Sequence, residues 1–195
     1  SGKQSMKGSI LNPTTFYYSK TTGDGESDWY DPKNDWCSTT YNDNWSMNDA
    51  FINGNWADDN ITKTVYDPCP IGFKMPGCNA FTCFTKTGNN TSDTSQFNVL
   101  ITSSYASDEG WSFCTQADQS GTTDFWRAFG FIDCYAGRYT QGTGKGCLAY
   151  AGFDGYYWSA RAYSAGRGCI LYFNSGYVSP RTANVRAFGF AARPV

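Results

Sequence analysis

The eight cysteines are the residues of this chain whose types and spacing could do the most chemistry. Their positions are Cys37, Cys69, Cys78, Cys83, Cys114, Cys134, Cys147 and Cys169. A thiolate zinc site needs closely spaced pairs of the CxxC kind, and the nearest pair here, Cys78 and Cys83, is further apart. In a chain rich in Ser, Thr and Asn, these cysteines are more typical of an exported protein with some disulfides. Their connectivity stays open.

Histidine is absent from the chain, and its absence excludes several kinds of site. A Ser-His-Asp or Cys-His nucleophile system cannot be built. A zinc or iron site with imidazole ligands cannot be built either. Any catalytic function would therefore have to rest on carboxylates, Lys or Cys alone.

The elements that position these residues belong to a chain of unusual composition. Its 195 residues include 14 Phe, 14 Tyr and 7 Trp, and the net charge is −2. Disordered chains combine low hydrophobicity with high charge and few aromatics, so this composition predicts a folded core built from rings. The 17 acidic residues outnumber the 15 basic ones, which argues against a general nucleic-acid-binding protein.

Turn residues interrupt almost every window, which favours an α+β fold of short antiparallel strands, about two helices and long loops. We predict helices near 46–57 and 77–85. Asn53-Gly54, Asn174-Ser175-Gly176 and Ser179-Pro180 are turn signals. The predicted strands are 15–18, 98–103, 126–133, 156–159, 169–173 and 187–192.

The ends of the chain set the expected domain boundaries. Ser1-Gly2 without Met resembles a tag scar or a processed end. We therefore interpret 1–7 as a tag scar or disordered N-terminus and 8–195 as a single domain, with an export or anchoring segment expected upstream. No apolar run approaches the roughly 20 residues of a membrane span, so none is predicted.

The last part of the chain differs in composition from the rest. Residues 155–195 contain five Arg but no Lys and no acidic residue. From residue 159 onward there is also no Gln, Met or Trp, although residues 1–158 hold 25 residues of the five types Lys, Gln, Glu, Met and Trp. An AAC or AAT codon randomised at both adenines can encode every amino acid except these five types. Chance in the choice of window is the alternative explanation.

Two segments carry a family resemblance. Residues 63–77 read KTVYDPCPIGFKMPG, and residues 155–195 read GYYWSARAYSAGRGCILYFNSGYVSPRTANVRAFGFAARPV. The first resembles the "vYDPCPxGWRVP" signature of the Fibrobacter-paralogue (FISUMP-type) domain of Bacteroidetes surface proteins, and the second resembles the ending of that domain. Such domains are similar to C-type lectin folds. The ending also resembles that of variable proteins of diversity-generating retroelements, in which adenine-templated codons are rewritten at scattered positions.

The resemblance implies which positions are varied and form a diversified ligand-binding site, while Trp158, Phe173, Pro180 and Phe190 belong to the scaffold. We expect the varied side chains to share one exposed face, with Ile170 and Tyr172 outward and Leu171 and Phe173 inward, because strand residues alternate. The implied site residues are Arg161, Arg167, Cys169, Ile170, Tyr172, Tyr177, Ser179, Arg181, Thr182, Ala183, Asn184, Val185 and Phe188.

The function that follows from the resemblance is recognition by a surface-exposed or extracellular binding protein, not an enzyme. The expected partner is an unknown protein or glycan ligand, without nucleic acid, and a tail rich in Tyr and Arg has the residue types of binding hot spots. A formylglycine-generating type of Cys pair, Cys147 with Cys169, is disfavoured because Cys169 is an implied varied position.

Two further readings stay open. One is a structural or adhesive pilus or surface subunit. The other is a calcium-dependent carbohydrate-binding lectin, although the usual EPN, QPD and WND triplets are absent. No cofactor is expected. A structural Ca²⁺ stays open because oxygen ligands are plentiful at Asp24, Asp28, Asp31, Asp58 and Asp59.

Overall fold

The structure is a computed structural model. It describes residues 45–46, 51–56, 60–65, 67–100, 102–116, 119, 121–132, 148–164, 167–186 and 188–195. Short antiparallel strands predominate in these ranges and helices are very few, as the composition indicates. The predicted strand at 15–18 lies outside the described residues.

The strands of the described ranges are β1 Gly110–Cys114, β2 Thr123–Arg127, β3 Phe131–Ile132, β4 Leu148–Ala149, β5 Gly155–Ser164, β6 Arg167–Asn174 and β7 Tyr177–Val185. They form three small sheets. β1 pairs with β2, β3 pairs with β4, and the remaining three form an antiparallel sheet in the order β5-β6-β7. The strands predicted at 156–159 and 169–173 are thus confirmed, and the one at 126–133 is divided between β2 and β3.

The chain after β7 returns to the far edge of the three-stranded sheet. Trp158 donates its amide to Ala191 (2.9 Å), and Ala191 donates to Tyr156 (3.1 Å), so the C-terminal segment runs parallel beside β5. Gly189 forms a bridge with Ile132 of β3. The strand predicted at 187–192 is therefore present only as isolated bridges. To reach β5 from β7, the chain must cross one face of the sheet.

β7 contains a bulge at Pro180. Ile170 pairs with Thr182 and Tyr172 pairs with Ser179, so two residues of β7 oppose one residue of β6. Proline has no amide to donate to the ladder and is tolerated in a strand at such irregularities. The turn predicted at Ser179-Pro180 is wrong for this reason, since both residues lie within β7.

The main core is built from rings, as predicted. Phe84 stacks on Phe113 with ring centroids 4.1 Å apart, and Trp126 meets Tyr157 edge to face at 4.7 Å. The buried members of this cluster are Phe81, Phe84, Phe97, Tyr105, Phe113, Trp126, Ala128, Tyr157, Leu171, Phe173 and Val178. Leu171 and Phe173 point inward from β6 as expected.

The described parts of the two predicted helices contain no α-helix. In 51–56 there is no helix, because the amides of Ile52 and Asn53 bond to Ala162 and Tyr163 of β5 instead. The Asn53-Gly54 turn is confirmed by positive φ angles of 43° and 87°. The rest of 46–57 lies mostly outside the described residues.

The helix predicted at 77–85 shortens to a 3-10 turn, Thr82–Phe84, whose N-cap residue provides no side-chain hydrogen bond. A second 3-10 turn, Thr94–Gln96, starts at Asp93, which accepts from the Ser95 amide. The only α-helix in the described ranges is α1, Tyr105–Asp108. In the strand predicted at 98–103, Val99 forms an isolated bridge with Phe113.

Candidate functional site

The motif at 63–77 is organised by one buried carboxylate. Asp67 accepts hydrogen bonds from the amides of Cys69 (2.8 Å) and Met75 (2.9 Å), and the Lys63 ammonium lies 2.9 Å from Oδ1. Burial opposes the charge, but these bonds outweigh it and lower the pKa of Asp67 below its ordinary 3.8. These contacts hold the backbone of the motif in place, and they engage both oxygens of the Asp67 carboxylate.

The implied varied positions meet across the ladder between β6 and β7. Four pairs join two members of the set directly: Arg167 with Val185, Cys169 with Ala183, Ile170 with Thr182, and Tyr172 with Ser179. Cross-strand partners share a face of the sheet and lie within reach of each other. The fold thus brings together positions that are separated by as many as 18 residues along the chain.

Exposure divides this set, and the expectation of a single exposed face is wrong for part of it. Arg167 is exposed, and Tyr172, Tyr177 and 181–185 are half-buried. The buried members are Arg161, Cys169, Ile170, Ser179 and Phe188. We call the accessible part the β7 face, and it comprises Arg167, Tyr172, Tyr177, Arg181, Thr182, Ala183, Asn184 and Val185. Because 181–185 are consecutive strand residues, their side chains alternate between the two sides of the ladder.

Ile170 is buried because side chains from a distant segment pack on the outer face of the sheet. The side chain points away from Leu171, as alternation predicts, but it packs in a second cluster with Ile61, Met75 and Trp158. Only 2% of Ile170 is exposed. The segment that carries the 63–77 motif therefore covers a surface that the sequence analysis left open.

The other buried members each have a structural reason. Arg161 lies in β5, where every residue from 157 to 162 is buried. Cys169 lies in a small cluster with Ile52 and Cys78. Ser179 lies next to Pro180 in the bulge of β7.

Phe188 is buried by the returning chain. Its ring packs edge to face on Phe131 (5.1 Å) and stacks on Phe190 (5.5 Å). Phe190 in turn stacks on Tyr156 (4.8 Å) and contacts Trp158 (4.6 Å). The face of the sheet that carries Tyr156 and Trp158 is thus the one the chain crosses after β7.

Tyr172 and Tyr177 lie beside each other at the turn end of the β7 face. Their ring centroids are 5.9 Å apart. Tyr177 is the half-buried first residue of β7, while Ser175 and Gly176 form the exposed turn. Asn174 accepts the Gly176 amide at 2.9 Å, which confirms the predicted turn.

A cavity of about 240 Å³ adjoins the β7 face. We call it the aromatic pocket. Among the described residues, its lining consists of five rings, Phe131, Tyr150, Tyr156, Phe188 and Phe190, and two polar side chains, Asp154 and Asn184. Asn184 and Phe188 belong to the implied varied set. The other five were not identified from the sequence, although Asp154 is the last acidic residue before the acid-free tail.

Asp154 is the charged group of the aromatic pocket. Its carboxylate accepts hydrogen bonds from the hydroxyls of Tyr156 (3.3 Å) and Tyr172 (3.5 Å). Burial raises the pKa of Asp154 above its ordinary 3.8, although bonds from Asn174, Tyr156 and Tyr172 act in the opposite direction. Burial, together with the charge of Asp154, raises the pKa of Tyr172 to about 12.

Cys69, Cys83 and Cys114 of the described ranges carry free thiols. Burial first, and then the nearby Asp67, raises the pKa of Cys69 to about 11, so its thiol resists forming the reactive thiolate. Cys37, Cys134 and Cys147 lie outside the described residues.

Within the described ranges, no group of three or more Cys, Asp or Glu side chains comes together that could hold a metal ion. The acids considered for calcium, Asp24, Asp28, Asp31, Asp58 and Asp59, lie outside those ranges.

Arg193 has a structural role, because its guanidinium group has two partners within the fold. It lies 4.3 Å from the ring of Trp126 and pairs with Asp124.

Comparison with known proteins gives no relative to build on. No family model, no curated protein and no solved structure matches the chain. Within the part of the chain that the structure describes, no helix is long and apolar enough to cross a membrane.

Proposed function

We propose that this chain is a C-type lectin-like, ligand-binding protein of the cell surface or extracellular space. Residues 155–195 provide its diversified recognition site, as in variable proteins of diversity-generating retroelements. The observation that carries the proposal is the β6–β7 register, which pairs four implied varied positions with four others. The hairpin between β6 and β7 thereby gathers positions that are scattered along the chain into neighbouring places on two strands.

The β7 face has the physical properties that variation requires. Arg167 is exposed and the other side chains are half-buried, and substitutions at exposed positions usually change stability by less than about 0.5 kcal/mol. The scaffold beneath them is fixed by Leu171, Phe173 and Val178, which are fully buried. A rigid strand pair can therefore present many different side chains in one geometry.

The buried members of the set limit the variation. Cys169, Ile170 and Phe188 lie in apolar clusters, where a charged residue would carry a large desolvation cost. A randomised AAY codon can encode Ile, Leu, Val, Phe and Cys. We therefore expect folded sister proteins to keep apolar residues at these three positions and to vary freely on the β7 face.

A paired-library experiment tests this proposal. One displayed library randomises the eight positions of the β7 face with NNY codons, and a control library randomises eight buried residues of the main core in the same way. We expect protease-resistant clones to be common in the first library and rare in the second. Selection against several unrelated purified proteins and glycans should then yield different binders from the first library. Equal loss of folded clones in both libraries would contradict the proposal.

A further inference from the structure

The edge of β7 that faces away from β6 is held by a segment outside the varied region. Thr91 and Val178 exchange both backbone hydrogen bonds, at 2.9 and 3.0 Å. The side-chain amide of Asn90 donates to the Arg181 carbonyl (3.1 Å), and its side-chain oxygen accepts from the Arg181 amide (3.3 Å). Asn90 and Arg181 are 91 residues apart in the sequence, so this contact is a feature of the tertiary fold.

In this contact, the Asn90 side chain takes the place of a peptide group of a neighbouring strand. A primary amide offers a donor and an acceptor side by side, as strand pairing requires. Both bonds end on the backbone of residue 181, and neither involves its guanidinium group. The contact is therefore open to every residue type at 181 except proline, which has no amide hydrogen. Position 181 belongs to the implied varied set.

The contact lies where the ladder between β6 and β7 is interrupted. Opposite Leu171 of β6, β7 has two residues, Pro180 and Arg181. A bulge disrupts the ladder locally, and Pro180 has no amide to donate. A strand whose pairing is weakly specified is prone to slip in register. Asn90 supplies a fixed point for β7 at this break.

We propose that Asn90 is a positioning residue of the recognition site, which fixes the backbone of β7 at position 181 whatever side chain that position carries. The inference rests on the proposed function, since it takes position 181 to be varied. Asn90 precedes 155–195, so variation of that segment leaves it unchanged. The edge groups of Val178 and Arg181 are occupied by these contacts, so at those residues a ligand meets the side chains of β7 and does not add a strand to its edge.

Amide hydrogen exchange of the full chain, followed residue by residue by NMR, tests this role without a ligand. In Asn90→Ala, the amide of residue 181 should exchange at least about tenfold faster than in the parent protein, because it loses its acceptor. The amide of Leu171, which pairs with Tyr157 of β5, should keep its rate. Asn89→Ala, at the neighbouring exposed position, is the matched control and should leave both rates unchanged. An unchanged rate at 181, or equal acceleration at 181 and 171, would overturn the proposal.

Asn90→Asp separates positioning from a general loss of stability. A carboxylate keeps the acceptor for the amide of residue 181 but has no donor for its carbonyl. We expect the exchange rate at 181 to stay within about threefold of the parent value, unlike that of Asn90→Ala. If the two variants accelerate exchange at 181 equally, the Asn90 oxygen does not hold this amide and the proposal is wrong.

Independence from the side chain is tested at position 181 itself. Arg181→Ser, Arg181→Asp and Arg181→Tyr introduce residues that randomised AAY codons encode. After correction for intrinsic exchange rates, each should keep the amide of residue 181 protected to within about threefold of the parent protein. Adding Asn90→Ala to each should remove that protection. Protection that follows the residue at 181 and not the residue at 90 would contradict the proposed role.

The outcome for Asn90 is separable from the outcome for diversification. If exchange at 181 does not depend on residue 90 but the β7-face library folds and yields binders, the positioning role fails and the recognition function stands. If Asn90 holds the amide of residue 181 but the library does not fold, the diversified function fails, and with it the part of Asn90 in recognition.

Discussion

Ile170 of β6 and Thr182 of β7 are direct partners across the ladder, yet Ile170 is 2% exposed and Thr182 is half-buried. Both positions belong to the set that the sequence implies to be varied. The pair therefore shows that the set has two parts, one that meets solvent and one that packs inside. The difference between the two parts can be measured.

We expect Ile170→Ala to destabilise the protein by about 2–4 kcal/mol, because it leaves a cavity among Ile61, Met75 and Trp158. Its partner substitution, Thr182→Ala, should cost less than about 1 kcal/mol because the side chain is partly solvated. Urea unfolding followed by tryptophan fluorescence measures both. Similar costs for the two variants would show that the division of the set by burial is incorrect.

Asp67 should make stability depend on pH on the acid side. Its pKa is lowered in the folded state, so its contribution is fully present above about 3.8, the ordinary value, and is lost as the pH falls through the folded pKa. Asp67→Asn should lose about 1–3 kcal/mol at pH 7, since an amide cannot replace both the charge and the acceptors. It should also show a flatter decline in stability between pH 5 and pH 2.

Thermal unfolding of the parent protein and Asp67→Asn across this pH range is the measurement. The exposed Asp108→Asn serves as a control for the loss of one carboxylate. If parent and Asp67→Asn decline in parallel with pH, Asp67 is not the group that titrates.

Asn98 should be essential for the fold. It is fully buried, and its amide nitrogen lies within hydrogen-bond distance of the carbonyls of Cys83 (2.6 Å), Cys114 (3.2 Å) and Gln116 (2.6 Å). Asn98→Ala leaves these acceptors without their donor, and we expect a loss of about 2–4 kcal/mol in chemical denaturation. Asn89→Ala, at an exposed position, should change stability by less than about 0.5 kcal/mol. A mild effect at Asn98 would mean that another group satisfies these carbonyls.

The thiols of Cys69, Cys83 and Cys114 can be counted by mass. After unfolding without reductant, the protein should take up at least three alkyl groups, one on each of these residues. In the folded protein at pH 8, Cys69 should react slowly, because its thiol is buried and its pKa is raised to about 11. Peptide mapping assigns each adduct. Recovery of Cys69, Cys83 or Cys114 in a disulfide would contradict the structure.

The strands were predicted better than the helices, because the strand signals depend on short-range sequence pattern. β6 has alternating inward residues, Leu171 and Phe173, and a turn signal at 174–176, so its position follows from short-range pattern. The helix predicted at 46–57 is absent at 51–56 because Ile52 and Asn53 bond to β5, more than 100 residues away. No local propensity reports such a long-range partner.

The alternation of residues along β6 was predicted, but neither its pairing with β7 nor the burial of the implied site residues was. Alternation places Ile170 opposite Leu171, but it cannot show that Met75 covers Ile170 from a distant segment. The aromatic pocket was missed for a similar reason. Its lining comes from 131, 150–156 and 184–190, which are brought together only when the chain crosses the sheet after β7.

The most direct test of the central claim is to sequence the genomic locus that encodes this chain, together with sister copies. The account predicts a near-identical copy of the stretch encoding 155–195, beside a reverse transcriptase, with AAC or AAT codons at the implied varied positions. Differences between sister proteins should concentrate at those codons, and most strongly on the β7 face. Sister copies that differ evenly along the whole domain, with no such template, would contradict it.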